Sequence, residues 1–244
     1  MFFVIFLLLK TYIFYMIFSI KKQAFIFIIL SIFLSIITLL VPVASAHKSV
    51  NFCIVIDAGH GGIDKGASGL TTGVFESDLN LDIAKKLQTK FEEIGFTVIM
   101  TRDGDYGLYG DTSKGFKKRD LEKRVEIINK NDPSTFISIH LNKYTSSTRR
   151  GAQVFYKDES YDSDRLAKCV QNEFNSSPDC VKKYSALKGD YYLLNMAKCT
   201  SIIVECGFLS NEQDEKLLNS EEYRLKIAKT IFNGTIKYLK GESA

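Results

Sequence analysis

The chain has no tryptophan, three prolines and three histidines in 244 residues, and the larger absences exclude whole classes of function. No CxxC pair occurs among Cys53, Cys169, Cys180, Cys199 and Cys206, so neither a thiolate zinc cluster nor a fully paired disulfide framework is indicated. Cys53 and Cys206 sit in apolar runs and read as small buried residues; Cys180 with Cys199 is a possible bridge that spacing alone does not support. Acidic residues are missing from the first 46 positions, whose only charges are Lys10, Lys21 and Lys22. With those lysines set aside, 29 of the 32 Lys and Arg face 28 Asp and Glu. The body is nearly neutral, which argues against nucleic acid or an anionic membrane surface as a partner. No internal repeat and no linker appears, so a separate binding module is not expected.

What is present at the N-terminus is an almost continuous apolar stretch over residues 1–46. After Lys21 and Lys22 it runs from Ala24 to Val43 and ends in Ala44-Ser45-Ala46, the small-x-small pattern cut by signal peptidase. The segment predicts export, with Met16 as an alternative start. It is also long enough to span a bilayer if it stays uncut. The expected division is 1–46 as signal peptide or membrane anchor and 47–244 as the folded domain.

In that domain, Phe52 to Ile56 reads as a buried strand running into Asp57-Ala58-Gly59. From Ser77, the apolar positions Leu79, Ile83, Leu87, Phe91 and Ile94 recur at helical spacing and stop at Gly95. A strand over 97–101, a helix around Leu121, Val125 and Ile128, and strands over 136–139 and 152–156 follow. A helix marked by Leu166, Val170 and Phe174 comes next, then strands over 191–194 and 201–204, and a closing helix through Tyr223, Ile227, Ile231 and Tyr238. Alternating strands and helices predict a single α/β domain, a mostly parallel or mixed twisted sheet with helices on both faces.

His47 lies at the presumed cleavage site, which leaves His60 and His140 for chemistry in the body. Both follow predicted strands, and the carboxyl ends of strands are where sites assemble in open α/β sheets. Two imidazoles make an incomplete catalytic zinc site, which takes three protein ligands and often includes a carboxylate. Glu76, at the mouth of the first amphipathic helix, is the candidate; an acidic residue favoured there by the helix dipole is an equal reading on spacing. Glu205 ends the apolar run Ser201 to Val204, where a buried carboxylate is costly unless it is paired or functional. A general base is what a two-histidine metal hydrolase would still need. The spacing is not HExxH, so ligands and base come from separate elements. Gly59-His60-Gly61-Gly62 is not a phosphate loop, since Asp64 stands where GxGxxG needs glycine and no GK[ST] follows. Glycines that let backbone approach a metal and substrate fit better.

These residues fall into a known pattern. The chain from about Phe52 to Leu239 resembles the zinc-dependent N-acetylmuramoyl-L-alanine amidases of the cell-wall hydrolase class. The resemblance is carried by Val55-Ile56-Asp57-Ala58-Gly59-His60-Gly61-Gly62 with Asp64 and Gly66-Ala67, by Gly73-Val74-Phe75-Glu76 with Asn80-Leu81, and by Met100-Thr101-Arg102. Ser138-Ile139-His140-Leu141-Asn142 and Val204-Glu205-Cys206-Gly207-Phe208-Leu209-Ser210-Asn211 complete it. It implies one Zn2+ per chain held by His60, Glu76 and His140, with Glu205 as catalytic acid/base, at the carboxyl ends of the strands. It implies peptidoglycan as substrate and hydrolysis of the amide between N-acetylmuramic acid and L-alanine. Where the family often has proline before the last strand, this chain has Cys199-Thr200. Where self-inhibited relatives carry a helical insertion after the strand at 152–156, it has only a short link, so restraint would come from elsewhere, such as timed expression or a partner; an accessory or activator protein is one such partner. A compact exported domain without wall-binding repeats is most like the spore-cortex amidases, whose action prepares muramic lactam. Two other readings remain: a cysteine peptidoglycan hydrolase using Cys206 with His140, and a membrane-tethered wall-binding protein inactive without a partner.

Overall fold

A computed structural model describes residues 2–40, 52–158 and 160–242. Ala44-Ser45-Ala46 and His47, the expected cleavage region, lie outside the described residues. The chain divides into two compact units, residues 1–50 and 51–244.

In the first unit, Phe2–Leu40 forms a single helix, α1, which continues through Lys10, Lys21 and Lys22. Its segment Leu9–Phe33 is long and apolar enough to cross a membrane, since about 20 apolar residues span the hydrocarbon layer.

The second unit runs β1 (Cys53–Ala58), α2 (Glu76–Glu92), β2 (Thr97–Met100), α3 (Phe116–Lys130), β3 (Thr135–Asn142), β4 (Gln153–Tyr156) and α4 (Tyr161–Ser176). It continues with β5 (Leu187–Lys188), α5 (Tyr192–Met196), β6 (Thr200–Phe208), α6 (Glu212–Leu218) and α7 (Glu221–Leu239). The six strands form one mixed sheet in the order β2-β1-β3-β6-β4-β5. β1, β2, β3 and β6 are parallel, and β4 runs antiparallel to β6.

The central strands are buried on both faces, which is why they read as unbroken apolar runs. On one face Ile54, Ile56, Ile137, Ile139, Ile202 and Val204 pack against apolar residues of α2, α4 and α7. On the other, Val55 and Phe136 pack against Ile128 of α3 and Leu193 of α5. The expected α/β sheet covered on both faces is therefore present.

Three local expectations need correction. Tyr191 to Leu194, expected as a strand, is the start of α5. Leu193 and Leu194 are adjacent and both buried, which one turn of helix allows, and a short apolar run cannot distinguish the two states by periodicity. β6 extends from Thr200 to Phe208, so Glu205 lies within the strand and not at its end. Cys53, expected to be buried, is only half-buried; all five cysteines are free, including Cys180 and Cys199, whose pairing the spacing did not support.

Candidate metal centre

β1 and β3 are neighbours in the sheet, so the residues at their carboxyl ends meet. His60 follows β1, and His140 lies near the end of β3; their rings sit with centroids 5.0 Å apart at 76°. Glu76, the first residue of α2, comes between them. Its Oε1 is 3.2 Å from His60 Nε2 and 3.0 Å from His140 Nδ1. Ligand atoms of His60, Glu76 and His140 all lie within 4.8 Å of one another. The structure thus brings together the three residues that the sequence singled out.

Local backbone chemistry fixes each side chain. His60 adopts φ +61°, a left-handed conformation unusual for a side-chain-bearing residue, and Arg124 holds it there by donating to its carbonyl at 2.7 Å. Its ring Nδ1 is 2.9 Å from Asp64 Oδ2, and Asp64 Oδ1 in turn meets Lys117 Nζ at 2.9 Å. That contact fixes the tautomer with Nδ1 protonated, leaving Nε2 free as a ligand. Glu76 Oε2 accepts from the Ala67 N–H at 2.8 Å. Its Oε1 accepts from the Leu141 N–H at 3.1 Å and the Asn80 amide at 3.3 Å. Two glycines are needed for space. A Cβ at Gly59 would overlap the His140 imidazole, and one at Gly66 would overlap Glu76 Oε2 and the His60 ring.

The electrostatics of the cluster suit a cation. Burial opposes ionisation of Glu76, but His140 and His60 hold its carboxyl well below the usual carboxylate range. Burial likewise disfavours a charged His60, yet Asp64 and Glu76 raise it to about 9. A buried carboxylate between two imidazoles concentrates negative charge where a divalent cation could replace the protons. Two imidazoles and one carboxylate, with a carboxylate behind one histidine, is a donor set suited to catalytic zinc.

Glu205 is in register with His140 on the neighbouring strand and only 8% exposed. Its Oε2 has no hydrogen-bond partner among the described residues. Burial, reinforced by the Glu76 charge and opposed by the histidines, pushes its carboxyl up to about 7. Cys206, the next residue, points to the opposite face of the sheet and packs in the core with Val204 and Ile202. Full burial raises its thiol well above the ordinary range, so the cysteine-hydrolase reading with His140 is excluded by position and by acidity.

The sequence pattern of the N-acetylmuramoyl-L-alanine amidases matches residues 54–237. The chain belongs to the N-acetylmuramoyl-L-alanine amidase family. It is 35% identical over 189 residues to the germination-specific N-acetylmuramoyl-L-alanine amidase of Bacillus subtilis (strain 168), covering 76% of this chain and 78% of that one. Among solved structures it is similar to the CwlD amidase from Clostridioides difficile in complex with the GerS lipoprotein. That likeness has 41% identity and a TM-score of 0.76, and covers 79% of this chain and all of the other. The amidase AmiC2 of Nostoc punctiforme gives 34% identity and a TM-score of 0.69, with 78% of this chain and 98% of that one covered. Membership places the second unit among enzymes that cut the amide between N-acetylmuramic acid and L-alanine in peptidoglycan.

Sequence reasoning quoted Asp64 and Arg102 within motifs but gave them no role. In this amidase Arg102 is buried and donates to the carbonyls of Ala58, Gly59 and Ser77, stitching the His60 loop to α2. Asp57 was legible by the argument used for Glu205, a carboxylate in a buried strand. Arg124 carried no such signal, because it follows Glu122 and Lys123 in a charge-rich helix that already holds Lys117, Lys118, Arg119 and Asp120.

Proposed function

We propose that His60, Glu76 and His140 hold one zinc ion and that Glu205 is the general base and acid of amide hydrolysis. The observation that carries this is the unpartnered, buried Glu205 carboxylate in register with His140 beside the three converging ligand atoms. Zinc in that cluster would supply Lewis acidity toward water and the substrate carbonyl.

The protein residues supply the rest. Asp64 keeps the His60 proton on Nδ1. Glu205, raised to about 7, can both accept and return a proton near neutral pH. It takes one from the water that adds to the lactyl carbonyl carbon, and gives it to the alanine nitrogen as the carbon–nitrogen bond breaks. The products are a muramic carboxylate and a stem peptide with a free amine.

The finer assignment is to the spore cortex, where removal of stem peptides precedes muramic lactam formation. It is supported by the likeness to the Bacillus germination-specific enzyme and to the Clostridioides amidase. Residues 1–46 act as signal peptide or anchor, and 47–244 as the catalytic domain delivered to the outer face of the cytoplasmic membrane. An accessory protein is the proposed source of restraint or activation; the Clostridioides relative is seen with a lipoprotein. The test is the mass-spectrometric product profile of purified peptidoglycan treated with the protein, with zinc and with chelator. Zinc-dependent release of stem peptides bearing a free alanine amine is expected. Release of glycan or peptide-peptide fragments overturns the assignment, and bound zinc without release favours a tethered wall-binding protein that needs a partner.

A further inference from the structure

Several features outside the proposed chemistry repay a physical reading, and the buried carboxylate of Glu215 on α6 is the most constrained of them. It has no exposed surface, and its partners are neutral. Its oxygens accept from the Thr71 N–H at 3.2 and 3.0 Å, from the Thr72 N–H at 2.8 Å and from the Thr72 hydroxyl at 2.7 Å. A Cβ at Gly69 would overlap Glu215 Oε1, so the backbone closes directly over the carboxylate. Asn219, one turn further on, donates to Thr72 Oγ1 at 3.2 Å.

Thr71 and Thr72 form the tip of a hairpin whose other end is the metal centre. Ser68 and Phe75 pair as an antiparallel bridge, and Gly69 N–H donates to the Val74 carbonyl at 2.8 Å. Beyond them, Glu76 N–H donates to the Ala67 carbonyl while Glu76 Oε2 accepts from the Ala67 N–H, both at 2.8 Å. The segment is therefore a narrow ladder with Glu76 at its open end. Gly66, Gly69 and Gly73 make it an entropically loose stretch of chain, and it needs an anchor at the tip to hold one conformation.

The anchor is placed to align the two halves of the site. α6 begins at Glu212, seven residues after Glu205, with Asn211 as its cap. The same region holds the segment that follows His140: Ser210 Oγ accepts from the Tyr144 N–H at 3.0 Å, and the Asn211 amide donates to the Ser147 carbonyl at 2.6 Å. One short helix thus ties the loops that lead from His140 and toward Glu76 to the strand that carries Glu205.

We infer that Glu215 is a positioning residue of the metal centre, clamping the tip of the 67–76 hairpin to α6 so that the Glu76 carboxylate is held in register with His60, His140 and Glu205. The inference rests on the zinc reading proposed above. A supporting residue that orients a ligand contributes about 10- to 100-fold in metal affinity.

The test compares the full chain with Glu215→Gln and Thr72→Val. Gln keeps the size but turns part of the acceptor into a donor facing two N–H groups. Val removes the Thr72 hydroxyl and leaves the Glu215 carboxylate its two backbone N–H donors. Zinc affinity is measured by competition with a chromophoric chelator, and the 69–74 segment is probed by limited proteolysis without zinc. For Glu215→Gln, about tenfold or greater weakening of zinc binding and faster cleavage in 69–74 are expected, with kcat restored at saturating zinc. Thr72→Val should weaken zinc binding less and in the same direction; it decides the matter if Glu215→Gln does not fold. A folded Glu215→Gln, or failing that Thr72→Val, with the affinity of the unaltered chain overturns the inference alone. Failure of the unaltered chain to bind zinc overturns the zinc reading and this inference with it.

Discussion

Asp57 on β1 and Glu205 on β6 are carboxylates buried on the same face of the same sheet, linked through the register of β3, and their surroundings are opposite. Asp57 meets the Arg124 guanidinium, the Thr101 hydroxyl at 2.7 Å and the Ser138 hydroxyl at 2.6 Å. Burial would raise its pKa, but those partners outweigh burial and bring it down to about 2. Glu205 has one oxygen without any partner and is raised to about 7. A buried charge that is fully paired belongs to the framework. A buried carboxylate left unpaired is costly, and such groups cluster at functional sites. The paired residue lies beneath the His60 loop and holds it up; the unpaired one stands beside His140.

The sharpest way to break this contrast is Glu205→Gln. The substitution keeps shape and removes the proton acceptor, so kcat should fall by about 10²- to 10⁴-fold, while zinc stoichiometry and thermal stability stay at or above those of the parent. Stem-peptide release, zinc content and thermal melts read the three quantities. Near-normal turnover would remove Glu205 from the mechanism.

Asp57→Ala attacks the other member. It strands Arg124 beside Asp120 alone, and breaking one side of a buried ion pair costs about 3–5 kcal/mol. The urea midpoint should drop with little change in slope, and specific activity per folded molecule should change far less than for Glu205→Gln. A large kinetic loss at unaltered stability would erase the distinction drawn between the two carboxylates.

Asp64→Asn tests the border between framework and chemistry. Asp64 touches no ligand atom that faces Glu76, yet it sets the proton on His60 through Nδ1. The expected effect is zinc binding weaker by about 10- to 100-fold, with kcat recovered when zinc is in excess. Chelator titration followed by zinc addition checks both halves, and unchanged affinity would mean that Arg124 and the left-handed backbone alone orient the ring.

The same contrast explains what could be read from the chain beforehand. Strands β1, β3 and β6 announce themselves because fully buried parallel strands are continuous apolar runs, and a histidine or glutamate that follows or ends such a run is conspicuous. His60, His140 and Glu205 were legible for that reason, and Glu76 only as one of two readings. α5 reads as a strand in sequence because Tyr-Tyr-Leu-Leu has no period long enough to decide. β5, two residues long, has no pattern of its own. The clamp made by Glu215 with Thr71 and Thr72 joins residues more than 140 positions apart. Nothing local in either segment signals the other, since two of its three donors are backbone N–H groups that every residue except proline carries.

The smallest expected effect is also the one that separates the two carboxylates by sign. Asp57 has a folded value depressed from 3.8 to about 2, so the stability it contributes is present above about pH 4 and lost as pH falls toward 2. Glu205 is raised from 4.5 to about 7. Between those values the folded state binds its proton more tightly than the unfolded state, so stability falls as pH rises through that window. In zinc-free protein, Glu205→Gln should therefore match the parent near pH 4 and become the more stable of the two by pH 8. Asp57→Ala should show its deficit at pH 8 and narrow it on acidification below 4. Urea midpoints across that range measure both slopes. Parallel curves for Glu205→Gln and its parent would mean that Glu205 is as well solvated folded as unfolded, and the opposition between the two sites would fail at its root.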